Sequence, residues 1–168
     1  MNRTVTLNGS LQRLVGDEVK VGQKAPEFQA TDLNMKPFLF TGKSGKVTVI
    51  SSVSSLDTAV CDVETRRFNQ EAAKLGDEVE ILTISKDLPF AQRRWCGAAG
   101  IDKVKVISDY RDTSFGNAFG VLINESKLLA RCIFVIDKNN LVKYVQLVPE
   151  IGQEPDYEAV LKAVEELL

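Results

Sequence analysis

Between residues 47 and 108, three short apolar runs alternate with two stretches of helical period, and this constrains the fold of the 168-residue chain more than any other feature. Val47-Thr48-Val49-Ile50-Ser51-Ser52, Val79-Glu80-Ile81-Leu82-Thr83-Ile84-Ser85 and Lys103-Val104-Lys105-Val106-Ile107-Ser108 have the length and β-branched content of buried strands. Between the first two, Cys61, Thr65, Phe68, Ala72 and Leu75 recur on one face of a helix over 61–75, which turns Cys61 toward the sheet. Between the second and third, Pro89 stands in the first turn of a helix over 89–98. Strand, helix, strand, helix, strand requires crossover connections, and therefore a parallel core covered by helices.

The flanks add antiparallel structure. Thr4–Leu7 and Leu11–Val15 surround Asn8-Gly9, a pair that tolerates the positive φ angles of a tight hairpin turn. Residues 16–46 are punctuated by Gly22, Pro26, Pro37, Gly42 and Gly45, with short edge strands expected at Glu27–Ala30 and Pro37–Phe40. A short helix is expected over Thr113–Phe119, then a second hairpin of Leu129–Asp137 and Leu141–Leu147 across Lys138-Asn139-Asn140. Pro155 opens a closing helix whose Tyr157, Val160, Leu161, Val164, Leu167 and Leu168 share one face. The predicted architecture is α/β, a thioredoxin-like fold with a central mixed sheet flanked by helices and an N-terminal β-hairpin. With 44% hydrophobic residues and no break in composition, residues 1–168 read as one domain.

Charge excludes some partners. Lys and Arg number 21 against 23 Asp and Glu, for a formal net charge of −2, with no basic stripe to neutralise a phosphate backbone. Nucleic acid is not an expected partner. The N-terminus lacks the continuous apolar run of a signal or membrane span, so a cytoplasmic protein with no membrane partner is expected. Three cysteines are too few for a disulfide scaffold, and without histidine or paired ligand spacing they do not form a zinc site.

Cys61 carries the chemistry. It follows the strand 47–52 and falls in the first turn of its helix, where unpaired backbone N–H groups and the helix dipole favour a thiolate. A lone cysteine is otherwise a small hydrophobe, so the surrounding sequence decides. A second cysteine, Cys96, stands 35 positions later (96 − 61) on the next helix. No Cys-x-x-Cys is present, which argues against protein disulfide exchange as the main activity.

Three segments together are specific. Leu56-Asp57-Thr58-x-x-Cys61, the run Asp87-Leu88-Pro89-Phe90-Ala91-Gln92 leading to Cys96, and Leu129-Ala130-Arg131 opening a late strand resemble the bacterial thiol peroxidases, which are atypical 2-Cys peroxiredoxins. The likeness extends from the N-terminal hairpin to Glu154-Pro155-Asp156-Tyr157-Glu158-Ala159. It implies a thiol-specific peroxidase acting on hydrogen peroxide and organic hydroperoxides without a cofactor. Cys61 would be oxidised to a sulfenic acid, Cys96 would resolve it as an intramolecular disulfide, and thioredoxin would reduce that disulfide. The resemblance also implies a homodimer whose contact surrounds the active-site loop and the segment near Arg111–Phe119. Prompt resolution matters because a sulfenic acid is reversible, whereas sulfinic acid generally is not.

Arg131 follows from the same resemblance, and magnitudes explain its use. Taking a thiol pKa from about 8.5 to about 6 requires roughly 3.4 kcal/mol, whereas a helix terminus supplies about 0.3–1 and at best about 2. Asp57, Asp62 and Glu64 would oppose a thiolate if they faced it, so a guanidinium that is always charged is the natural counterweight. Spacing alone would make Arg131 a snorkelling side chain at a strand start. For Thr58 two roles stand side by side: capping the helix by accepting from the N–H of Cys61 or, as the resemblance implies, donating toward the sulfur and orienting the peroxide.

Ser54 departs from the family, which has proline there. Serine frees φ and restores an N–H, so a more mobile loop and a better hydrated sulfur are expected. Cys132 alternates with Arg131 and shares a face with Phe134 and Ile136, as buried packing does. Phe90, Phe115, Phe119 and Leu122 are expected to line an apolar approach. A disulfide needs Cα atoms within about 4.4–6.8 Å, so thiols on separate helices predict partial unwinding during each cycle. The alternative reading is a thioredoxin-fold redox sensor or binding module switched by the Cys61–Cys96 disulfide.

Overall fold

The computed structural model describes residues 3–168. Its strands are β1 (Thr4–Leu7), β2 (Ser10–Val15), β3 (Phe28–Thr31), β4 (Pro37–Phe40), β5 (Val47–Ser52), β6 (Val79–Ser85), β7 (Lys105–Ser108), β8 (Leu122–Ile123), β9 (Cys132–Ile136) and β10 (Val142–Leu147). The helices are α1 (Ala59–Leu75), α2 (Pro89–Ala99), α3 (Ser114–Ala118) and α4 (Tyr157–Glu165). Seven strands form one sheet in the order β10-β9-β5-β6-β7-β3-β4. The pairs β5–β6 and β6–β7 are parallel, and β5–β9, β9–β10, β3–β7 and β3–β4 are antiparallel. The parallel core expected from the β5–α1–β6–α2–β7 alternation is therefore present, inside the mixed sheet expected once the antiparallel flanks are added.

Central β5 explains its own sequence. All six of its residues are buried, with β6 on one edge and β9 on the other. Val47 and Val49 join Phe68 of α1 and Val160 and Val164 of α4 in one apolar layer. Ile50, on the opposite face, joins Leu82, Ile84 and Phe134 in a second layer with Phe115 and Phe119 from the α3 segment. Burying each such side chain stabilises the fold by about 1.5–3 kcal/mol. Helices therefore cover both faces, and the two polar residues ending β5, Ser51 and Ser52, are held at depth beside the start of α1.

The differences from expectation have local causes. β3 lies inside the sheet order, because Thr31 pairs with Ser108; only β4 is at that edge. Arg131 precedes β9, whose pairing with β10 ends at Cys132, while Leu129 bridges to Leu122 of the short β8. β8 pairs with β2 of the N-terminal hairpin, and two residues are too short a run to stand out in sequence. The closing helix starts at Tyr157 rather than Pro155, since the Asp156 side chain caps it by accepting from the Ala159 N–H at 3.1 Å. Asn8 and Gly9 take φ of 51° and 80° in the first hairpin, as a primed turn requires. No helix among the described residues is long and apolar enough to cross a membrane.

Candidate active site

The chain leaving β5 is fixed before α1 begins. Val53 donates its N–H to Ile84 O at 2.9 Å, and the Ser54 hydroxyl donates to Leu129 O at 2.8 Å. Asp87, from the β6–α2 connection, accepts from the Ser55 hydroxyl at 2.7 Å and from the Leu56 N–H at 2.9 Å. The Ser85 hydroxyl donates to the same carboxylate at 2.7 Å. α1 then opens at Ala59 with Thr58 in extended conformation, placing Cys61 third in the helix. Its N–H is among those without an intrahelical acceptor, the arrangement expected from sequence.

Cys61 is fully buried, and Arg131 is the cation beside it. The Arg131 Nη2 donates to Cys61 Sγ at 3.3 Å and to Ile151 O at 2.8 Å, and Nε donates to Ile151 O at 3.1 Å. Nη1 donates to Glu64, whose other oxygen accepts from the Ser51 hydroxyl at 3.1 Å. Arg131 is 1% exposed and Glu64 0%, so the arginine does not snorkel. Burial works against the charge on Arg131. The Glu64 carboxylate and the Cys61 sulfur more than offset it and raise the guanidinium above its usual pKa. Burial likewise raises Glu64 above the ordinary carboxylate range, with Arg131 and Ser51 pulling the other way.

Glu64 is the site residue that sequence reading placed only as a possible antagonist of the thiolate. It was detectable, because position 64 lies one turn after Cys61 on the same inward face. A carboxylate there needs a buried cation, and Arg131 meets that need. The acid neighbours the sulfur through the arginine, which it orients.

Thr58 departs from its expected cap. Its hydroxyl donates to Ser55 O at 2.8 Å, and no side-chain cap is formed. The single hydroxyl proton is used on Ser55 O, and helical bonding begins with Asp62 N–H to Thr58 O at 3.0 Å. Donation toward sulfur requires that rotor to leave Ser55.

Cys96 lies near the end of α2, 7% exposed, in a small apolar cluster with Cys61, Val53, Leu56 and Val106. Both cysteines are free thiols. Gly100, in left-handed conformation at φ 70°, ends α2 by donating to Cys96 O. Burial pushes the Cys96 thiol up to about 11. Cys132 is buried with Phe134 and Ile136 on the far side of the sheet, and burial raises its thiol far above the ordinary value. Phe115, Phe119 and Leu122 do not line an approach. They pack into the aromatic core with Phe28 and Phe134, with Phe115 and Phe119 centroids 4.8 Å apart, and only Phe90 is exposed.

Ser54 is buried and tied, not loose, because its hydroxyl replaces a ring's rigidity with a hydrogen bond to Leu129 O. Ser54→Pro is therefore expected to change the peroxide rate constant by no more than about fivefold, because the loop is already held in the folded state. It should lower Tm by less than about 4 °C, since the orphaned buried carbonyl costs roughly 1 kcal/mol or more and the reduced entropy of the unfolded chain returns about 0.4–1 kcal/mol. Stopped-flow kinetics and calorimetry check the two halves.

Residues 20–161 match the Redoxin family. The chain is 53% identical over 164 residues to the thiol peroxidase of Bacillus subtilis (strain 168), covering 98% of each chain. It is 45% identical over 163 residues to the thiol peroxidase of Streptococcus pneumoniae (strain ATCC BAA-255 / R6), covering 97% of this chain and 99% of the other. A crystal structure of a peroxiredoxin-like protein from Aquifex aeolicus superposes with a TM-score of 0.94 at 44% identity, over 99% of this chain and 98% of that one. A peroxiredoxin scaffold with a buried thiol, arginine and carboxylate at one helix start thus accompanies close sequence identity along almost the whole chain, which belongs to the redoxin family and, within it, to the thiol peroxidases, enzymes that reduce peroxides with a cysteine thiol.

Proposed function

We propose that Cys61 is the peroxidatic thiol, Cys96 the resolving thiol and Arg131 the group that stabilises charge at Cys61. The observation that carries this reading is the Arg131 guanidinium 3.3 Å from Cys61 Sγ, both fully buried at a helix start. In the first step the Cys61 thiolate attacks the distal oxygen of a hydroperoxide. The S–O bond forms, the O–O bond breaks, and the departing alkoxide or hydroxide takes a proton and leaves as alcohol or water. Arg131 faces the developing charge without solvent reorganisation, because Glu64 and Ile151 O already hold it. Thr58, exposed one turn before the sulfur, orients the entering peroxide once its hydroxyl leaves Ser55. In the second step Cys96 sulfur displaces the sulfenic hydroxyl: S–S forms, S–O breaks, and water leaves with the thiol proton.

The disulfide is then reduced by a dithiol partner, thioredoxin, whose two thiols become a disulfide. The chain works as one domain over residues 1–168, in the cytoplasm and as a homodimer. Exposed Val63 on α1, with Leu88 and Phe90 at the start of α2, supports an apolar contact beside the site. Continuous consumption of peroxide with thioredoxin, its reductase and NADPH, well beyond one equivalent per chain, is the expected result. A redox sensor would stop near one equivalent, and that outcome would replace the catalytic cycle by the sensor.

A further inference from the structure

Each catalytic-helix cysteine has a neighbour that links the two helices directly. Asp62 follows Cys61 on α1, and Trp95 precedes Cys96 on α2. The Trp95 Nε1 donates to Asp62 Oδ1 at 2.8 Å. The other carboxylate oxygen of Asp62 accepts from Arg66 Nε at 3.0 Å, and the Arg66 guanidinium lies over the Trp95 ring, 5.7 Å from its centroid. Carboxylate, guanidinium and indole thus close a three-membered polar ring across the gap between the helices. The indole bond is charge-assisted and the guanidinium contact is of cation–π type, while the Asp62–Arg66 pair is a part-exposed ion pair one helical turn apart. The ring is half-buried, and Arg66 is its exposed member.

We propose that Asp62, Trp95 and Arg66 form a latch that holds α1 and α2 in the peroxide-reactive arrangement and must open before Cys96 can reach the sulfenic acid on Cys61. The inference rests on the resolving role given to Cys96. The two cysteines share one apolar cluster yet are free thiols, and the Trp95–Asp62 hydrogen bond ties their helices beside them. Joining the sulfurs requires Cα atoms within about 4.4–6.8 Å and side chains turned toward each other. On a helix, neighbouring positions point about 100° apart. Turning Cys61 or Cys96 toward its partner therefore swings Asp62 or Trp95 away. The latch has a chemical consequence as well as a mechanical one: while it stays closed, the sulfenic acid waits, and a second peroxide can convert it to sulfinic acid. Latch strength sets the peroxide concentration at which the enzyme is inactivated.

The test follows the two oxidation steps separately, by quenched-flow mass spectrometry after a stoichiometric peroxide pulse. Trp95→Phe keeps an aromatic ring and removes the N–H. It is expected to leave the rate of Cys61 oxidation within about twofold and to speed disulfide formation about three- to tenfold, with less sulfinic acid at high peroxide. Asp62→Asn retains an acceptor for the indole but not the charge, and its effect should fall between that of Trp95→Phe and the unaltered protein. Arg66→Met, on the surface, gives about a twofold acceleration and guards against a folding failure in the other two. In the unaltered protein, emission from Trp95, its single tryptophan, should change at the rate of disulfide formation. Disulfide formation that is unchanged or slower in all three variants, or indole emission that ignores the disulfide, overturns the latch while leaving the catalytic cycle intact. Absence of any Cys61–Cys96 disulfide in the unaltered protein overturns the latch together with the resolving role of Cys96.

Discussion

Arg131→Met is expected to lose about 10- to 10²-fold in the peroxide rate constant and about 3–5 kcal/mol in stability, for reasons that can be separated. The kinetic loss follows from removing a charged donor 3.3 Å from the reacting sulfur, since a hydrogen bond to a charged group contributes about 1.5–3 kcal/mol and each 1.36 kcal/mol is tenfold in rate. The stability loss follows from Glu64, which is fully buried and would keep only Ser51 as a partner. Burial already raises the Glu64 pKa, and without Arg131 that shift grows. The sign is then fixed: a carboxyl whose folded pKa lies above its unfolded value favours the folded state below the unfolded pKa, and this contribution is lost as pH rises through the folded pKa. The variant should be relatively most stable in mild acid and lose stability toward neutral pH. Adding Glu64→Gln to Arg131→Met removes the stranded carboxyl, so stability should recover substantially while the rate does not. Denaturant titrations across pH, paired with stopped-flow peroxide kinetics, measure both; recovery of the rate in the double variant would mean that the loss came from the stranded Glu64 carboxyl and not from the missing donor to sulfur.

The sequence disclosed the frame better than the interior polar contacts. β5, β6 and β4 run over the residues that their composition marks, because a continuous β-branched run between turn signals has few alternatives. Cys61 was legible from two periods at once, the end of a strand and the inward face of a helix. Less visible were features set by three-dimensional proximity. Glu64 depends on a guanidinium 67 positions away, and a helical pattern says only that position 64 turns inward. The Thr58 hydroxyl donates back to Ser55 O while its oxygen caps no helix N–H, a rotamer choice that the sequence pattern does not reveal. Phe115 and Phe119 read equally well as a substrate wall or as core, and the choice was made by Phe28 and Phe134 packing against them. Ser54 shows the same limit from the other side: losing a rigid ring suggested mobility, and a carbonyl 75 residues away supplies the restraint instead.

Cys96→Ser is expected to abolish steady-state turnover with thioredoxin, by more than about 10²-fold, while leaving the first oxidation of Cys61 nearly unchanged. Serine is isosteric enough to keep the small cluster around Val53, Leu56 and Val106 packed, so the effect isolates the missing sulfur. The sulfenic acid then persists, trappable by a dimedone reagent, and passes to sulfinic acid with excess peroxide. Cys132→Ser provides the contrast: that thiol lies in the opposite core layer, and its loss should affect stability rather than turnover. The pH dependence of resolution tells how Cys96 reaches its target. Held in the folded helix, its thiol is raised to about 11 by burial, so on the order of 10⁻⁴ of it is thiolate at pH 7. Attack from that state would make disulfide formation climb nearly tenfold per pH unit up to about pH 10. If the end of α2 unwinds first, the exposed thiol regains its ordinary value near 8.5, and the rate levels off above about pH 9. The levelling profile is the expected one, because Cys96 sits one turn from the glycine that ends α2, where the helix is easiest to open. A rate that keeps climbing through pH 10 would mean that Cys96 attacks from an intact helix.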